Sequence, residues 1–218
     1  MKLFNLFFSV LLFSMLSSHV MAQHDQLKNA ISHAEEVVNA PTGKEILAHA
    51  NAAKAAALEA KKMGFNAVKF DLDQRDDPNK YDLYNWTASN GELQRMYDQM
   101  AAAREAVGPN IDICADMHGR YDVTTGRRVA KMMEPLNLMF LEEPIPAENP
   151  DAYRQIREAT NTPICAGENH YLAHGFRRLL EIGAVDIIMP DLQKAGGLGE
   201  GQRIANLSNL YYVPFAPH

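Results

Sequence analysis

The chain has 218 residues, of which 47% are hydrophobic and 22% charged, and its formal net charge is −6. This length and this apolar share are sufficient for one substantial globular domain. The sequence has no basic run or basic patch, which argues against nucleic acid as a partner.

The N-terminus has the three parts of a secretory signal peptide. Lys2 supplies a short positive region, residues 6–13 are apolar, and residues 20–22 form a small-residue cleavage site. We therefore expect cleavage after Ala22 and export to the periplasm or the medium, with a membrane anchor as the alternative. The apolar stretch is short for a bilayer and no later segment is longer, so we expect no membrane span in the mature chain.

The next part of the chain predicts a linker and the first βα elements. Residues 23–42 are polar and mixed, which indicates a linker, and residues 43–63 are rich in Ala, Lys and Glu, which favours one long helix. Gly64 is a typical helix stop. Residues 66–71 then predict a strand, and residues 72–90 predict a long polar loop.

Helical and strand patterns alternate from there to the last residue. Helices are predicted at residues 91–107, 125–133, 151–160, 175–182 and 200–209, and strands at 111–116, 138–142, 163–168, 185–191 and 212–218. Six βα units predict an α/β fold that is an incomplete TIM-type (β/α) barrel, since a closed barrel has eight strands. We expect residues 43–218 to form a partial catalytic barrel that lacks the first strand and is truncated before the eighth.

The last five predicted strands each end in a reactive side chain: Asp116, Glu142, Glu168, Asp191 and His218, at steps of 26, 26, 23 and 27 residues. The C-terminal ends of barrel strands form the active-site face. Three converging carboxylates would repel one another, and a hard divalent cation removes that repulsion. The all-oxygen set Asp116, Glu142 and Glu168 favours Mg²⁺ and admits Mn²⁺. The alternative is three acids that cap the following helices.

The strand pattern also predicts the surroundings of three further side chains. Glu143 points to the opposite face from Glu142, so we expect it to be a salt-bridge partner on the helix or loop side. Cys114 and Cys165 lie on strands that are separated by a third strand, which is near the limit of disulfide reach. We therefore expect two buried free thiols.

The motifs K-F-D, D-M-H-G-R, L-E-E-P, A-G-E-N and M-P-D-L-Q-K-A-G-G, followed by A-P-H, resemble the enolase superfamily. They most resemble the acid-sugar dehydratases of its mandelate racemase subgroup, and the resemblance covers residues 64–218. It implies that Asp116, Glu142 and Glu168 bind Mg²⁺, which holds the substrate carboxylate. It also implies that a base removes the α-proton to give a metal-stabilised enediolate. We expect the superfamily's capping domain to be absent, because residues 23–42 are too few for it.

The resemblance also implies acid–base roles. It makes His218 the base in a dyad with Asp191, and His118 the acid that protonates the departing β-hydroxyl. Lys69 matches the first lysine of the K-x-K motif, whereas Asp71 replaces the second lysine, the opposing base of two-base racemases. This replacement disfavours racemisation. From the residues alone, Asp191 is alternatively an N-cap and His218 a solvated end.

Five further residues are candidate substrate contacts. Arg120 is either a contact for substrate hydroxyls or carboxylate, or a surface salt-bridge residue. The other four follow strand ends and are equally well loop hydrogen-bonding residues: Asn169, His170, Gln193 and Lys194.

Together these features predict a Mg²⁺-dependent hydro-lyase that eliminates water from a small-molecule sugar acid, such as an aldonate, to give a 2-keto-3-deoxy acid. The alternatives are a racemase or epimerase, a cycloisomerase, or an inactive fragment or pseudoenzyme. We expect a full-length form to be a homo-oligomer, and the 218-residue chain itself to be inactive because it is truncated.

Overall fold

The protein is described from a computed structural model, which covers residues 44–75, 77–82 and 86–218, without the side chains of residues 44–47. The predicted signal peptide and linker lie outside the described residues. Among the described helices, none is both long enough and apolar enough to cross a membrane.

Helices and strands alternate through this part of the chain, as predicted. The elements are α1 Lys44–Lys62, β1 Ala67–Asp71, α2 Asn90–Val107, β2 Asp112–Asp116, α3 Val123–Met132, a 3₁₀ turn Glu134–Leu136, β3 Phe140–Glu142, α4 Pro150–Arg157, β4 Ile164–Ala166, α5 Leu172–Glu181, β5 Ile187–Ile188 and α6 Leu198–Leu210. The five strands form one parallel sheet in the order β1-β2-β3-β4-β5. Within the described residues the sheet does not close on itself, which confirms an incomplete barrel.

The helices after β1 begin one to three residues earlier than the sequence predicts. Three of them start directly after a side-chain cap. Ser89 accepts a hydrogen bond from the N–H of Glu92, and Asp122 accepts one from Thr125. Asn149 likewise caps the N-terminus of α4. These caps satisfy backbone donors that would otherwise lack a partner at the helix start.

The sixth predicted strand lies parallel to β5 but forms only one bridge with it. Ile188 donates to the carbonyl of Pro214 at 3.0 Å and accepts from the N–H of Ala216 at 2.9 Å. The N–H of His218 donates to the carbonyl of Pro190 at 3.0 Å. Two prolines in this segment have no N–H, which limits the ladder to these few bonds.

Strand residues alternate between two apolar layers. Ile113, Leu141 and Ile164 belong to the main core cluster, together with apolar residues of the helices. Cys114 and Cys165 belong to a second cluster with Phe140 and Met189. Both thiols are free and buried, as predicted. Because side chains alternate along a strand, the residues that end β2 and β3 lie on the same face as this second cluster.

Candidate active site

Asp116 and Glu142 end neighbouring strands and pair in register across β2 and β3. Both are buried, with Asp116 1% exposed and Glu142 0% exposed. The ammonium of Lys69, on β1, lies 2.8 Å from Asp116 Oδ2 and 2.6 Å from Glu142 Oε2. One lysine therefore neutralises part of the charge of two candidate metal ligands.

Burial and the ion pairs among Lys69, Asp116 and Glu142 shift the pKa values of these three groups in opposite directions. Burial raises the pKa of Glu142, and the repulsion from Asp116 adds to the rise, although Lys69 opposes it. Burial also acts to raise the pKa of Asp116, but hydrogen bonds from Lys69 and from the N–H of His118 bring it below its usual value. Burial acts to lower the pKa of Lys69, but its two carboxylate partners raise it well above normal. Lys69 is therefore held as an ammonium.

Glu142 has one carboxylate oxygen, Oε1, that is buried and makes no hydrogen bond to the described residues. A buried carboxylate oxygen without a partner is costly. An all-oxygen ligand set of carboxylates suits a hard divalent cation, and the residues present fit such an ion. Asp116, Glu142 and Glu168 are the predicted set, and this set stays a prediction. Within the described residues, the group whose ligand atoms all lie within 4.8 Å of one another is Asp71, Asp116 and His118.

His118 follows β2 with a positive φ of 48°. Its N–H donates to Asp116 Oδ1 at 3.0 Å, and its ring Nε2 lies 3.7 Å from Asp116 Oδ2. Its Nδ1 lies 2.8 Å from Oδ1 of Asp73. Burial acts to lower the pKa of His118, but the hydrogen bond to Asp73 and the nearby carboxylates raise it. The ring therefore lies between two carboxylates, with Nδ1 toward Asp73 and Nε2 toward Asp116.

Asp73 was not singled out by the sequence, because it lies in the polar loop after β1. The only available signal is the alternation Asp71, Leu72, Asp73 at the end of that strand. Its second oxygen lies 2.9 Å from Nε of Arg120, whose side chain is 62% exposed. Arg120 thus makes the salt bridge that the sequence left open as an alternative to a substrate contact.

Two basic side chains from the last part of the chain lie close to Glu168. His218 Nε2 lies 3.3 Å from Glu168 Oε2, and Lys194 Nζ lies 3.5 Å from the same oxygen. Lys194 Nζ is also 3.8 Å from Asp191 Oδ2. Asp191 Oδ1 accepts the backbone N–H groups of Gln193 at 2.8 Å and Lys194 at 3.1 Å.

Those two N–H groups fix the role of Asp191 in this structure. The bond from Lys194, then that from Gln193, lowers the pKa of Asp191, and the charge of His218 contributes least. Asp191 therefore caps a turn here, while the His218 ring contacts Glu168. The expected dyad of Asp191 and His218 stays a prediction.

Glu168 reaches this position after a backbone turn that only glycine permits. Gly167 has φ +155°, and a Cβ at this residue would lie 2.7 Å from the backbone carbonyl carbon of Met189. No side chain could be accommodated at that distance. Gly167 thus allows β4 to pass close to the residue after β5 and then present Glu168 to the site.

Glu143 is fully buried, and it makes no salt bridge with the described residues, contrary to the expectation. Its carboxylate accepts the side-chain amide of Asn169 at 2.6 Å and the N–H of Gly167 at 3.4 Å. Asn169 Nδ2 also lies 3.4 Å from Glu168 Oε1. The expectation was wrong because the carboxylate turns into the β4 loop, where amide groups satisfy it. Burial raises the pKa of Glu143.

His118 and Asn169 line a cavity of about 540 Å³ between the loops after β2, β3 and β4, and His170 lines it too. His170 is 6% exposed, and neither ring nitrogen makes a hydrogen bond of acceptable geometry to the described residues. Burial lowers its pKa to about 4, with smaller opposing effects from the Ala147 backbone and from Glu148. The ring is neutral at physiological pH. The cavity therefore offers amide and imidazole groups beside the candidate acid His118.

The chain matches a family model described as Enolase C-terminal domain-like over residues 51–218. It is 40% identical over 156 residues to a D-xylonate dehydratase from Haloferax volcanii, a match that covers 72% of this chain and 38% of that protein. It is 38% identical over 120 residues to a D-galactonate dehydratase from Variovorax paradoxus, a match that covers 55% of this chain and 31% of that protein.

Two solved structures show the same relationship. A mandelate racemase/muconate lactonizing enzyme-like protein from Rubrobacter xylanophilus has 50% identity and a TM-score of 0.73, covering 76% of this chain and 42% of that chain. The 3,6-anhydro-D-galactonate cycloisomerase from Zobellia galactanivorans has 32% identity and a TM-score of 0.65, covering 76% and 42%. The chain thus spans less than half the length of these relatives. Because the family model matches most of its residues, the chain belongs to the enolase C-terminal domain-like family.

Proposed function

We propose that this protein is the barrel part of a Mg²⁺-dependent sugar-acid dehydratase. The observation that carries the proposal is the fully buried Glu142 beside Asp116, with one carboxylate oxygen unpartnered and the His118 ring 3.7 Å from Asp116. A cation site and a proton donor at one sheet edge are what the elimination of water next to a carboxylate requires. The names of the D-xylonate and D-galactonate relatives support sugar acids as the substrate class.

Asp116, Glu142 and Glu168 would hold the Mg²⁺. When bound, this ion supplies positive charge where negative charge builds up on the substrate carboxylate. Lys69 already supplies one positive charge to Asp116 and Glu142. It holds the two carboxylates close together and in one orientation.

The remaining steps belong to two histidines. His218 removes the α-proton onto a ring nitrogen, and the electrons of that C–H bond form a carbon–carbon double bond. His118 donates a proton to the β-hydroxyl, whose C–O bond breaks to release water. The enol product gains a proton at C3 and becomes a 2-keto-3-deoxy acid. The sum is sugar acid to keto acid plus water, with no oxidant or reductant.

Water is a poor leaving group without an acid, so the position of His118 favours elimination over a simple inversion of the α-carbon. The residue that matches the opposing base of two-base racemases is Asp71. A carboxylate at this position does not supply the second lysine, which also favours a one-sided reaction.

The 218-residue chain alone is proposed to be inactive. In the described residues the outer edge of β1 has no strand partner, and the segment that carries His218 forms only one bridge to β5, so the base is weakly held. A base displaced by about 1 Å loses roughly a hundredfold in rate. Turnover of an aldonate by the isolated chain would refute this part of the proposal.

The proposal is tested by grafting residues 51–218 into the D-xylonate dehydratase of Haloferax volcanii in place of the corresponding part of its barrel. The graft is incubated with Mg²⁺ and a set of pentonates and hexonates, and products are identified by mass spectrometry. We expect a 2-keto-3-deoxy acid, and loss of that product when both His118 and His218 are replaced by Asn. A product that retains every oxygen of the substrate, such as an epimer or a cyclised isomer, would overturn the dehydratase proposal.

A further inference from the structure

Asp73 touches two candidate site residues with its two carboxylate oxygens. Oδ1 lies 2.8 Å from Nδ1 of His118, and Oδ2 lies 2.9 Å from Nε of Arg120. The Asp73 side chain is only 11% exposed, whereas that of Arg120 is 62% exposed. The sheltered contact of Asp73 is therefore the one with the histidine.

The backbone of Leu72, directly before Asp73, is hydrogen-bonded both to the sheet and to α2. The N–H of Leu72 donates to the carbonyl of Asp116 at 2.8 Å. The carbonyl of Leu72 accepts Nη2 of Arg95, and Arg95 also pairs with Asp77. The Arg95 and Asp77 side chains are 1% and 0% exposed. The residue that precedes Asp73 is thus restrained, because Leu72 bonds to β2 and to the buried Arg95.

The backbone of His118 is also restrained. Its N–H donates to Asp116 Oδ1 at 3.0 Å, so the backbone that carries the ring is tied to the end of β2. The contact between Asp73 and His118 therefore joins two restrained segments, and it does not depend on a flexible side chain reaching across solvent.

The chemistry of this contact assigns the protons of the ring. An ionised carboxylate only accepts hydrogen bonds, so Nδ1 of His118 carries a proton whenever it bonds to Asp73. The opposite nitrogen, Nε2, faces the candidate acids and lies 3.7 Å from Asp116 Oδ2. Nε2 is then the nitrogen that exchanges a proton with substrate.

We propose that Asp73 is the positioning residue of His118: it fixes the Nδ1–H tautomer and aims Nε2 at the site. This inference rests on the proposed function for its meaning, because His118 is there the acid that releases water. The geometry itself involves neither substrate nor metal.

The test is nitrogen NMR of the ¹⁵N-labelled 218-residue chain without metal or substrate, under conditions where the ring carries one proton. Long-range proton–nitrogen correlations report which ring nitrogen is protonated, and the His118 signals are those absent from His118→Gln. We expect Nδ1 to be of the protonated, pyrrole type and Nε2 of the unprotonated, pyridine type. The reverse assignment in the unmodified chain would overturn the proposal without any variant.

Three variants separate a positioning role from a merely structural one. Asp73→Ala should move the His118 ring to the Nε2–H tautomer or to a mixture of both. Arg120→Gln, which removes the other partner of Asp73, should leave the Nδ1–H tautomer in place, as should the matched control Asp112→Ala at the exposed start of β2. An unchanged tautomer in folded Asp73→Ala would overturn the proposal.

This readout is independent of turnover. If the graft described above fails to release water while the tautomer follows Asp73, the proposed function fails and the positioning contact stands. If the graft is active and the tautomer ignores Asp73, the positioning role alone fails.

Discussion

The ammonium of Lys69 lies 2.6 Å from the fully buried carboxylate of Glu142. This contact, with its companion at 2.8 Å to Asp116, supplies the positive charge that two adjacent buried carboxylates need. A cation that binds these acids therefore enters a site where Lys69 already offsets part of the negative charge.

The first prediction concerns that balance. Lys69→Met should lower the free energy of unfolding of the metal-free chain by about 1–3 kcal/mol, because two buried carboxylates lose a charged partner. The partial exposure of Lys69 keeps this loss toward the lower end. Added Mg²⁺ should then stabilise the variant more than the unmodified chain, as measured by thermal melting with and without the ion.

Lys54→Met is the matched control, because Lys54 pairs with Glu105 on the surface at 3.3 Å. Surface pairs contribute about 0–1 kcal/mol. An equal response of both variants to Mg²⁺ would contradict the role assigned to Lys69.

The second prediction concerns the metal ligands. Glu168→Gln should reduce Mg²⁺ binding, measured by calorimetry, by at least about tenfold, because a neutral amide replaces a charged ligand. Glu143→Gln changes the neighbouring buried acid, which faces the amide of Asn169, and should largely retain binding. Equal losses in the two variants would show that the metal does not bind through Glu168.

The third prediction separates the acid from the base. In the graft, His118→Asn should slow water release by about 10²–10⁴-fold, the usual share of general acid catalysis. Exchange of the substrate α-proton with deuterated solvent should continue, because His218 is unchanged. Mass spectrometry follows both reactions in one sample. Parallel loss of exchange and dehydration would mean that His118 is not simply the acid.

The fourth prediction concerns Arg95. Its guanidinium pairs with Asp77 and also bonds Gln99 and the carbonyl of Leu72. Arg95→Met should lower the free energy of unfolding by about 3–5 kcal/mol, because Asp77 is left as a buried, unpaired charge. Urea denaturation measures this loss. The control Arg128→Met removes an exposed contact with Asn90 and should stay within about 0.5 kcal/mol.

The fifth prediction concerns the thiols. Burial raises the pKa of Cys114 to about 12, and burial also raises the pKa of Cys165. The thiolate is the reactive form, so at pH 8 both thiols should resist iodoacetamide in the folded chain and react fully in urea. Mass spectrometry counts the modified cysteines. Rapid labelling of the folded chain would show that the strands carrying them open readily.

The strand ends were predictable because each combines a short apolar run with a reactive residue, and parallel strands bring such residues to one edge. Asp116 and Glu142 follow this rule and pair in register. The partner of His118 was not predictable, because Asp73 lies in a loop, where composition does not indicate which way a side chain points. The family resemblance also assigned Lys69 to the site without showing that two carboxylates share it.

The second acid of the L-E-E-P motif and the last part of the chain show a further limit of prediction from sequence. Glu143 was expected to find a cation, but its buried carboxylate bonds to the amide of Asn169. Asp191 was expected to orient His218, which stays a prediction, and two backbone N–H groups bond to one of its oxygens. In both cases nearby amide donors bond to the carboxylate, a side-chain amide at Glu143 and backbone N–H groups at Asp191, and sequence patterns do not encode these contacts.

The strand order β1-β2-β3-β4-β5 follows the order of synthesis, with every strand beside its predecessor. Each described strand pairs with a strand only one βα unit away, so no pairing in the described sheet needs a more distant segment. Each βα unit can therefore add to the edge of the unit before it, with β1 as the first strand. If the sheet forms in this order, the residues of the site come together from Lys69 to His218, and the acids meet before the last histidine joins them.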